Sequence, residues 1–183
     1  MTESPLPARR FLPVWVIFTA GVILLGFLIL LGMSLGKGQT QALQVGSPVA
    51  DFSLTTFDGQ TIALSDLRGK TVLINFWASW CTTCTDEAAF LQQAWQQVNQ
   101  QQVVFLGVDY ADTEAPARAF LQAHGLTYPA GPDLGSAISR QFHLTGMPES
   151  YLIDGTGILR GVRIGPFTSA QDLESFIGQN SGN

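Results

Sequence analysis

From Phe11 to Leu35 the chain carries no charged residue, and Val14–Leu35 (VWVIFTAGVILLGFLILLGMSL) is almost pure hydrocarbon. A run of this kind leaves few ways to fold. As a helix rising about 1.5 Å per residue it covers roughly the 30 Å of a bilayer core. A cleaved signal peptide is the first rival, but its apolar stretch is roughly 7–15 residues long and ends at small residues. The run here is longer, and the segment from Gly36 to Ala42 offers a poor cleavage site. A buried core helix is the second rival, and a run apolar on every face beside a chain end fits it badly. The expectation is therefore an uncleaved transmembrane anchor over residues 14–35. Arg9 and Arg10 precede it and only Lys37 follows closely. That asymmetry predicts a cytoplasmic tail over residues 1–13, with the rest of the chain outside the cytoplasm at the cell membrane.

Beyond the anchor, residues 37–183 hold seven Lys/Arg against thirteen Asp/Glu, a charge of about −6 with histidine neutral. This excludes the basic footprint of a nucleic-acid binder. Residues 36–46 are small and polar without hydrophobic periodicity and read as a linker. Residues 47–183 remain for one domain.

The pattern within that domain alternates. Val49–Thr55 and Gln60–Leu64 flank an Asp58-Gly59 turn and predict a β-hairpin. Ser65–Gly69 reads as a brief helical turn. Thr71–Trp77 is a continuous β-branched and aromatic run, the mark of a strand buried on both faces. Ala88, Leu91, Trp95 and Val98 then repeat at helical spacing, which predicts a helix from Thr82 to about Val98. Val103–Val108 is a second buried strand, completing a βαβ unit. Further helices are expected over Thr113–His124, with Gly125 closing it, and over Leu134–Phe142. A hairpin of Ser150–Asp154 and Ile158–Ile164 follows, then a helix from Thr168 or Ser169 to Ile177 that buries Leu173, Phe176 and Ile177. The sum is an α/β domain with helices on both faces of a mixed sheet.

Its two cysteines, Cys81 and Cys84, fall between the first buried strand and its helix. The first turn of a helix presents unpaired N–H groups and partial positive charge, which stabilises a thiolate at Cys81 and lowers its pKa. Cys84 lies three residues on, on the same face, where it can resolve a mixed disulfide. Other uses of C-x-x-C fit less well. A c-type haem site needs histidine next, and Thr85 stands there. A zinc site lacks ligands, His124 and His143 lying far outside finger spacing. A static bridge over so short a loop restrains the unfolded chain little. The pair reads as redox-active, with no metal and no cofactor.

The text VGSPVADFSLTTFDGQTIALSDLRGKTVLINFWASWCTTC, followed by VVFLGVDY and GMPESYLID, resembles the thioredoxin superfamily, in particular its TlpA/ResA/DsbE (CcmG) branch of membrane-anchored thiol–disulfide oxidoreductases. The likeness runs from Val45 to about Gly165. It implies a thioredoxin-like fold with an N-terminal hairpin and a central βα insertion, here about Asp109–Phe142. It implies that Pro148 is a cis-proline facing the cysteines, leaving the backbone of Met147 free to pair with an extended substrate. Glu87, one turn beyond Cys84, is implied to assist proton transfer at the buried cysteine, against the plainer reading of an exposed helix carboxylate. Glu149 is implied to help select substrate, or merely to begin a strand. Trp80 and Thr82 border the site, and Trp80 is expected on the rim that receives a protein. Trp77 is expected in the core and His124 on the surface, while His143 has no assigned role.

The sequence also departs from that pattern. Asn75 stands where thioredoxin has a buried aspartate, and Thr82-Thr83 between the cysteines has neither proline nor charge. The resemblance implies a protein-disulfide reductase fed by a membrane thiol transporter and acting on exported proteins such as apocytochrome c. Two alternatives belong to other classes. One is a copper-binding thioredoxin-fold chaperone recruiting His143, although such proteins space their cysteines by three. The other is a peroxiredoxin-like thiol peroxidase, whose nucleophile follows a proline and a threonine where Trp77 and Cys81 stand relative to Cys84.

Overall fold

A computed structural model describes residues 14–35 and 43–180. The predicted tail over 1–13 and most of the predicted linker lie outside the described residues. The chain divides into two compact units, one N-terminal to residue 42 and one beginning there.

The first unit is helix α1, Val14–Leu35, matching the hydrocarbon run. Its side chains are described at Trp15, Val16 and residues 18–30. Across this stretch the large apolar residues, among them Trp15, Phe18, Ile23 and Leu30, are exposed. Among the described residues no helix is long and apolar enough to cross a membrane.

The second unit is thioredoxin-like. Strands β1 (Ser53–Thr55) and β2 (Thr61–Ala63) form the antiparallel hairpin predicted from Asp58-Gly59. A 3-10 turn over Leu64–Leu67 leads to β3, Thr71–Trp77. Next come α2 (Thr82–Gln97), β4 (Val103–Asp109), α3 (Glu114–Ala123) and β5 (Ala130–Pro132). A 3-10 turn over Leu134–Ser136 precedes α4, Ala137–Phe142, and the chain closes with β6 (Glu149–Ile153), β7 (Leu159–Ile164) and α5 (Ala170–Asn180). The main sheet has the order β5-β4-β3-β6-β7. β3 runs parallel to β4 and antiparallel to β6, so it is central, and its side chains from Val72 to Trp77 are all buried.

Alternation along β3 separates two cores. Val72, Ile74 and Phe76 face the side that holds Phe142 of α4 and Leu54 of the hairpin. Leu73 faces Leu91 and Trp95 of α2 and Leu173 and Ile177 of α5. Each such side chain contributes roughly 1.5–3 kcal/mol on burial. The hairpin docks where β1 approaches β5. A Cβ on Gly131 would stand 2.2 Å from the Thr55 carbonyl oxygen, so only glycine permits that approach.

Two expectations need adjustment. The single helix over Leu134–Phe142 is broken, because Gly135 (φ 72°) and Ser136 (φ 55°) take left-handed backbone. The break frees Asp133 to accept from the N–H groups of Ile138 (3.0 Å) and Ser139 (2.7 Å) and so restart the helix as α4. The end of the predicted linker also belongs to the folded unit. Leu43 packs on the core, and the Gly46 N–H donates to the Leu159 carbonyl at 2.7 Å.

Candidate active site

The central ladder builds the site. Because Phe76 pairs with Glu149 in the β3–β6 register, the loop leaving β3 and the turn entering β6 meet at one end of the sheet. The loop carries the two cysteines and the turn carries Pro148. The Met147–Pro148 peptide bond is cis, as the resemblance implied.

Cys81 is the N-cap of α2 and is disulfide-bonded to Cys84, with Cα atoms 5.3 Å apart. The Cys84 N–H points at the Cys81 sulfur from 3.1 Å, and the Thr83 hydroxyl lies 3.5 Å from it. No acidic residue occupies the first turn of α2, so nothing offsets the positive end of the helix. Cys84 is more deeply set, at 2% exposure against 6% for Cys81.

Around Cys81 lies a groove of about 470 Å³, bordered by Trp80, Thr82, Tyr110, Leu144 and Met147. It holds no charged side chain. Trp80 is 60% exposed, and Thr82 is exposed at the start of α2. Trp77 is core, stacked on Phe120 with ring centres 4.8 Å apart. Trp80, Cys81, Thr82 and Met147 thus come together, with Pro148 buried next to Met147.

Glu87 is 1% exposed and returns to the cysteine side one turn beyond Cys84, so it is no solvent carboxylate. Its Oε1 accepts from Asn75 Nδ2 at 2.8 Å and its Oε2 from the Phe167 N–H at 3.0 Å. Burial pushes its pKa up to about 7, against the lowering pull of those two donors. Asn75 also donates to Ser150 Oγ at 3.0 Å, while its own Oδ1 finds no protein partner.

Glu149 does not face the groove. It is 1% exposed, and Oε1 accepts from the Thr145 N–H (3.1 Å), the Thr145 hydroxyl (2.5 Å) and the Gly146 N–H (3.0 Å). Its Oε2 accepts from Tyr151 Oη at 2.6 Å. Burial, reinforced by Glu149, drives the Tyr151 phenol pKa upward. Glu149 begins β6 and braces from inside the turn that presents Met147. The residue follows a proline at a strand start, where a carboxylate ordinarily meets water, so the sequence gives no sign of the inversion.

Further residues escaped the sequence reading. Asp112 Oδ2 accepts the Ser79 N–H at 2.8 Å, and the Tyr110 N–H donates to the Trp77 carbonyl at 2.8 Å. Together they pin the loop before Cys81. Asp109 is 2% exposed with Oδ1 unpartnered, and burial, with Asp112 adding to it, pushes its pKa up to about 7. Its position at the carboxyl end of a buried strand was the available signal. His124 caps α3 beside the Phe120 ring, and His143 lines a separate depression. Among the described residues no group of three or more His, Cys, Asp or Glu stands together as a metal site.

Residues 45–162 match the model of the AhpC/TSA family. The chain is 30% identical over 137 residues to the thiol-disulfide oxidoreductase ResA of Bacillus thuringiensis (strain Al Hakam), covering 75% of this chain and 79% of that protein. It is 31% identical over 160 residues to ResA of Geobacillus thermodenitrificans, covering 84% of this chain and 92% of that one. A crystal structure from Chlorobium tepidum, described as a thiol:disulfide interchange protein DsbE, superimposes with a TM-score of 0.70 at 27% identity, covering 77% of this chain and 100% of that one.

Proposed function

The chain belongs to the AhpC/TSA family and is a thiol–disulfide oxidoreductase of the ResA/DsbE type, and on that premise we propose that it is a membrane-anchored, extracytoplasmic reductase of polypeptide disulfides, apocytochrome c among its clients. The observation that carries this reading is the Cys81–Cys84 pair at a helix N-terminus, opening into an uncharged groove beside Met147. An uncharged, partly apolar groove suits a polypeptide segment better than a small ionic thiol.

In the reduced protein the Cys81 thiolate attacks one sulfur of the client disulfide. A mixed disulfide forms, and the client's other sulfur leaves as a thiolate. The Cys84 thiolate then attacks the Cys81 sulfur, giving the intramolecular bond found here and releasing the second client thiol. Glu87, one turn away and with its pKa near 7, is the proposed acceptor of the Cys84 proton. Trp80, Thr82 and Met147 line the proposed client track, the Met147 backbone pairing with the client chain. Pro148 holds that turn and Glu149 braces it from inside.

The helix α1 supports the anchor, being apolar and exposed over its described length. The match to the Geobacillus protein reaches into the segment before residue 45, since it covers more of the chain than residues 45–183 supply. Arg9 and Arg10 favour an N-terminus in the cytoplasm. A membrane thiol transporter is the proposed source of electrons for the exposed domain.

The test is single-turnover reduction of an oxidised peptide bearing Cys-x-x-Cys-His, followed in the wild type, Cys81→Ser and Cys84→Ser. Loss of reaction in Cys81→Ser and a trapped mixed disulfide in Cys84→Ser are expected. Undiminished reduction by Cys81→Ser would end the proposal.

A further inference from the structure

Beside the redox groove, and sharing its Tyr110 and Leu144 walls, lies a second depression of about 320 Å³. The rest of its lining is Ser136, Ser139, Arg140 and His143. Their spacing of three, four and seven puts them along one side of α4 and its flanks. The other side of α4 carries Ile138 and Phe142 into the core. The polar stripe is what the fold turns toward the groove's edge.

The depression carries a cation and no carboxylate. Arg118, Arg160 and Arg163 each pair with a carboxylate. Among the described residues Arg140, like Arg68 and Lys70, is in no ion pair. Its Nη1 donates to the Gly135 carbonyl at 2.5 Å, and the residue lines the depression with no other side-chain hydrogen bond among the described residues. No carboxylate lines the depression. The nearby acid, Asp133, is 7% exposed and turned inward onto Ile138 and Ser139. An acidic domain thus keeps an uncompensated cation at the rim of its redox groove.

The backbone singles out the same place. Among the described residues, three non-glycine residues have positive φ: Ala111 (51°), Ser136 (55°) and His143 (54°). Ser136 and His143 line the depression, and Ala111 follows Tyr110 of the shared wall. Such backbone is disfavoured for a residue with a Cβ, and it collects where a side chain must be aimed.

We propose that this depression is a specificity subsite that takes the carboxylate of an aspartate or glutamate in the client polypeptide, a few residues from the cysteine attacked by Cys81. The inference rests on the polypeptide-disulfide reading above. An extended chain advances about 3.3 Å per residue. Because the two depressions share the Tyr110–Leu144 wall, the side chain that crosses it belongs to a residue near the client cysteine, and the peptide series locates it. Arg140 supplies charge-assisted donors to the carboxylate, and Ser136 and His143 flank it.

The test uses the full chain in mild detergent, reduced and freed of reductant, against disulfide-closed peptides. One set carries a single glutamate two, three or four residues from the cysteine on either side; the reference carries glutamine throughout. The rate of protein oxidation is read by tryptophan fluorescence. One glutamate position is expected to react about two- to fivefold faster than the reference, the range an exposed ion pair sustains. The advantage falls with added salt. Arg140→Gln is expected to erase it while leaving the reference rate unchanged, and Arg140→Lys to keep part of it. Equal rates for all peptides, or a preference that survives Arg140→Gln, would overturn the subsite and leave the reductase reading standing. Failure of every peptide to oxidise the protein would overturn that reading and the subsite with it.

Discussion

Glu87→Gln isolates the buried carboxyl behind the cysteines. In the folded protein burial raises its pKa from 4.5 to about 7, while the unfolded chain ionises it at the ordinary value. The stabilising contribution of the protonated group is thus complete below pH 4.5. It drains away as pH rises and is gone above pH 7. At about 1.36 kcal/mol per pH unit, the displacement is worth roughly 3 kcal/mol. Gln cannot ionise, so the variant lacks this share of the slope. Its amide has a place to go, because turning Asn75 brings the unpartnered Oδ1 toward it while Phe167 still donates to the other end. The assay is urea unfolding of the oxidised domain beginning at Ala42, from pH 4.5 to pH 8, read by tryptophan fluorescence. Asp109, raised to about 7 by burial, contributes a slope of the same sign in both proteins. It therefore cancels in the comparison. The wild type should lose roughly 3 kcal/mol more than the variant across this window. Parallel stability curves would refute the reasoning, since a buried carboxyl of ordinary pKa produces no such difference.

Glu149→Ala should strip the partner from the Thr145 and Gly146 N–H groups and leave the Tyr151 hydroxyl only the Phe142 carbonyl at 3.2 Å. The expected loss is roughly 3–5 kcal/mol in denaturant unfolding, with peptide reduction falling more than reduction by small dithiols. Gly131→Ala sets a Cβ against the Thr55 carbonyl and should destabilise by about 1–3 kcal/mol or detach the hairpin, seen as early hydrogen exchange of β1 and β2. An unchanged melting temperature for that variant would mean the hairpin does not press on β5 in solution.

Much of this arrangement was legible in advance, for identifiable reasons. Thr71–Trp77 is a strand because its whole length is apolar and β-branched, a pattern only a doubly covered strand requires. The Asp58-Gly59 turn announced its hairpin, and the cysteines announced the helix start they occupy. What stayed hidden depends on contacts distant in sequence. Ser136 has no marked preference for left-handed backbone, so the break before α4 is imposed by Asp133 and the packing of Phe142. Glu149 is drawn inward by the turn just before it and by Tyr151, and no single-strand pattern encodes that. Asp112 reaches Ser79 across 33 positions of chain, a contact only the folded sheet creates.

The β3–β6 register carries a consequence for how such a chain can change. Cysteines and proline are locked to each other by five paired positions, Val72 with Ile153 through Phe76 with Glu149. Everything that lies between β4 and β6 in sequence is spliced into the chain without interrupting that ladder. Tyr110, Arg140, His143 and Leu144, the walls a client would meet, all belong to the spliced stretch. Part of the groove wall therefore lies on a length of polypeptide apart from the cysteines, while Trp80, Thr82 and Met147 stay with the ladder. Substitutions confined to Arg140, His143 and Leu144 should alter which polypeptides react fastest, because the Tyr110 and Asp112 contacts to the cysteine loop stay in place.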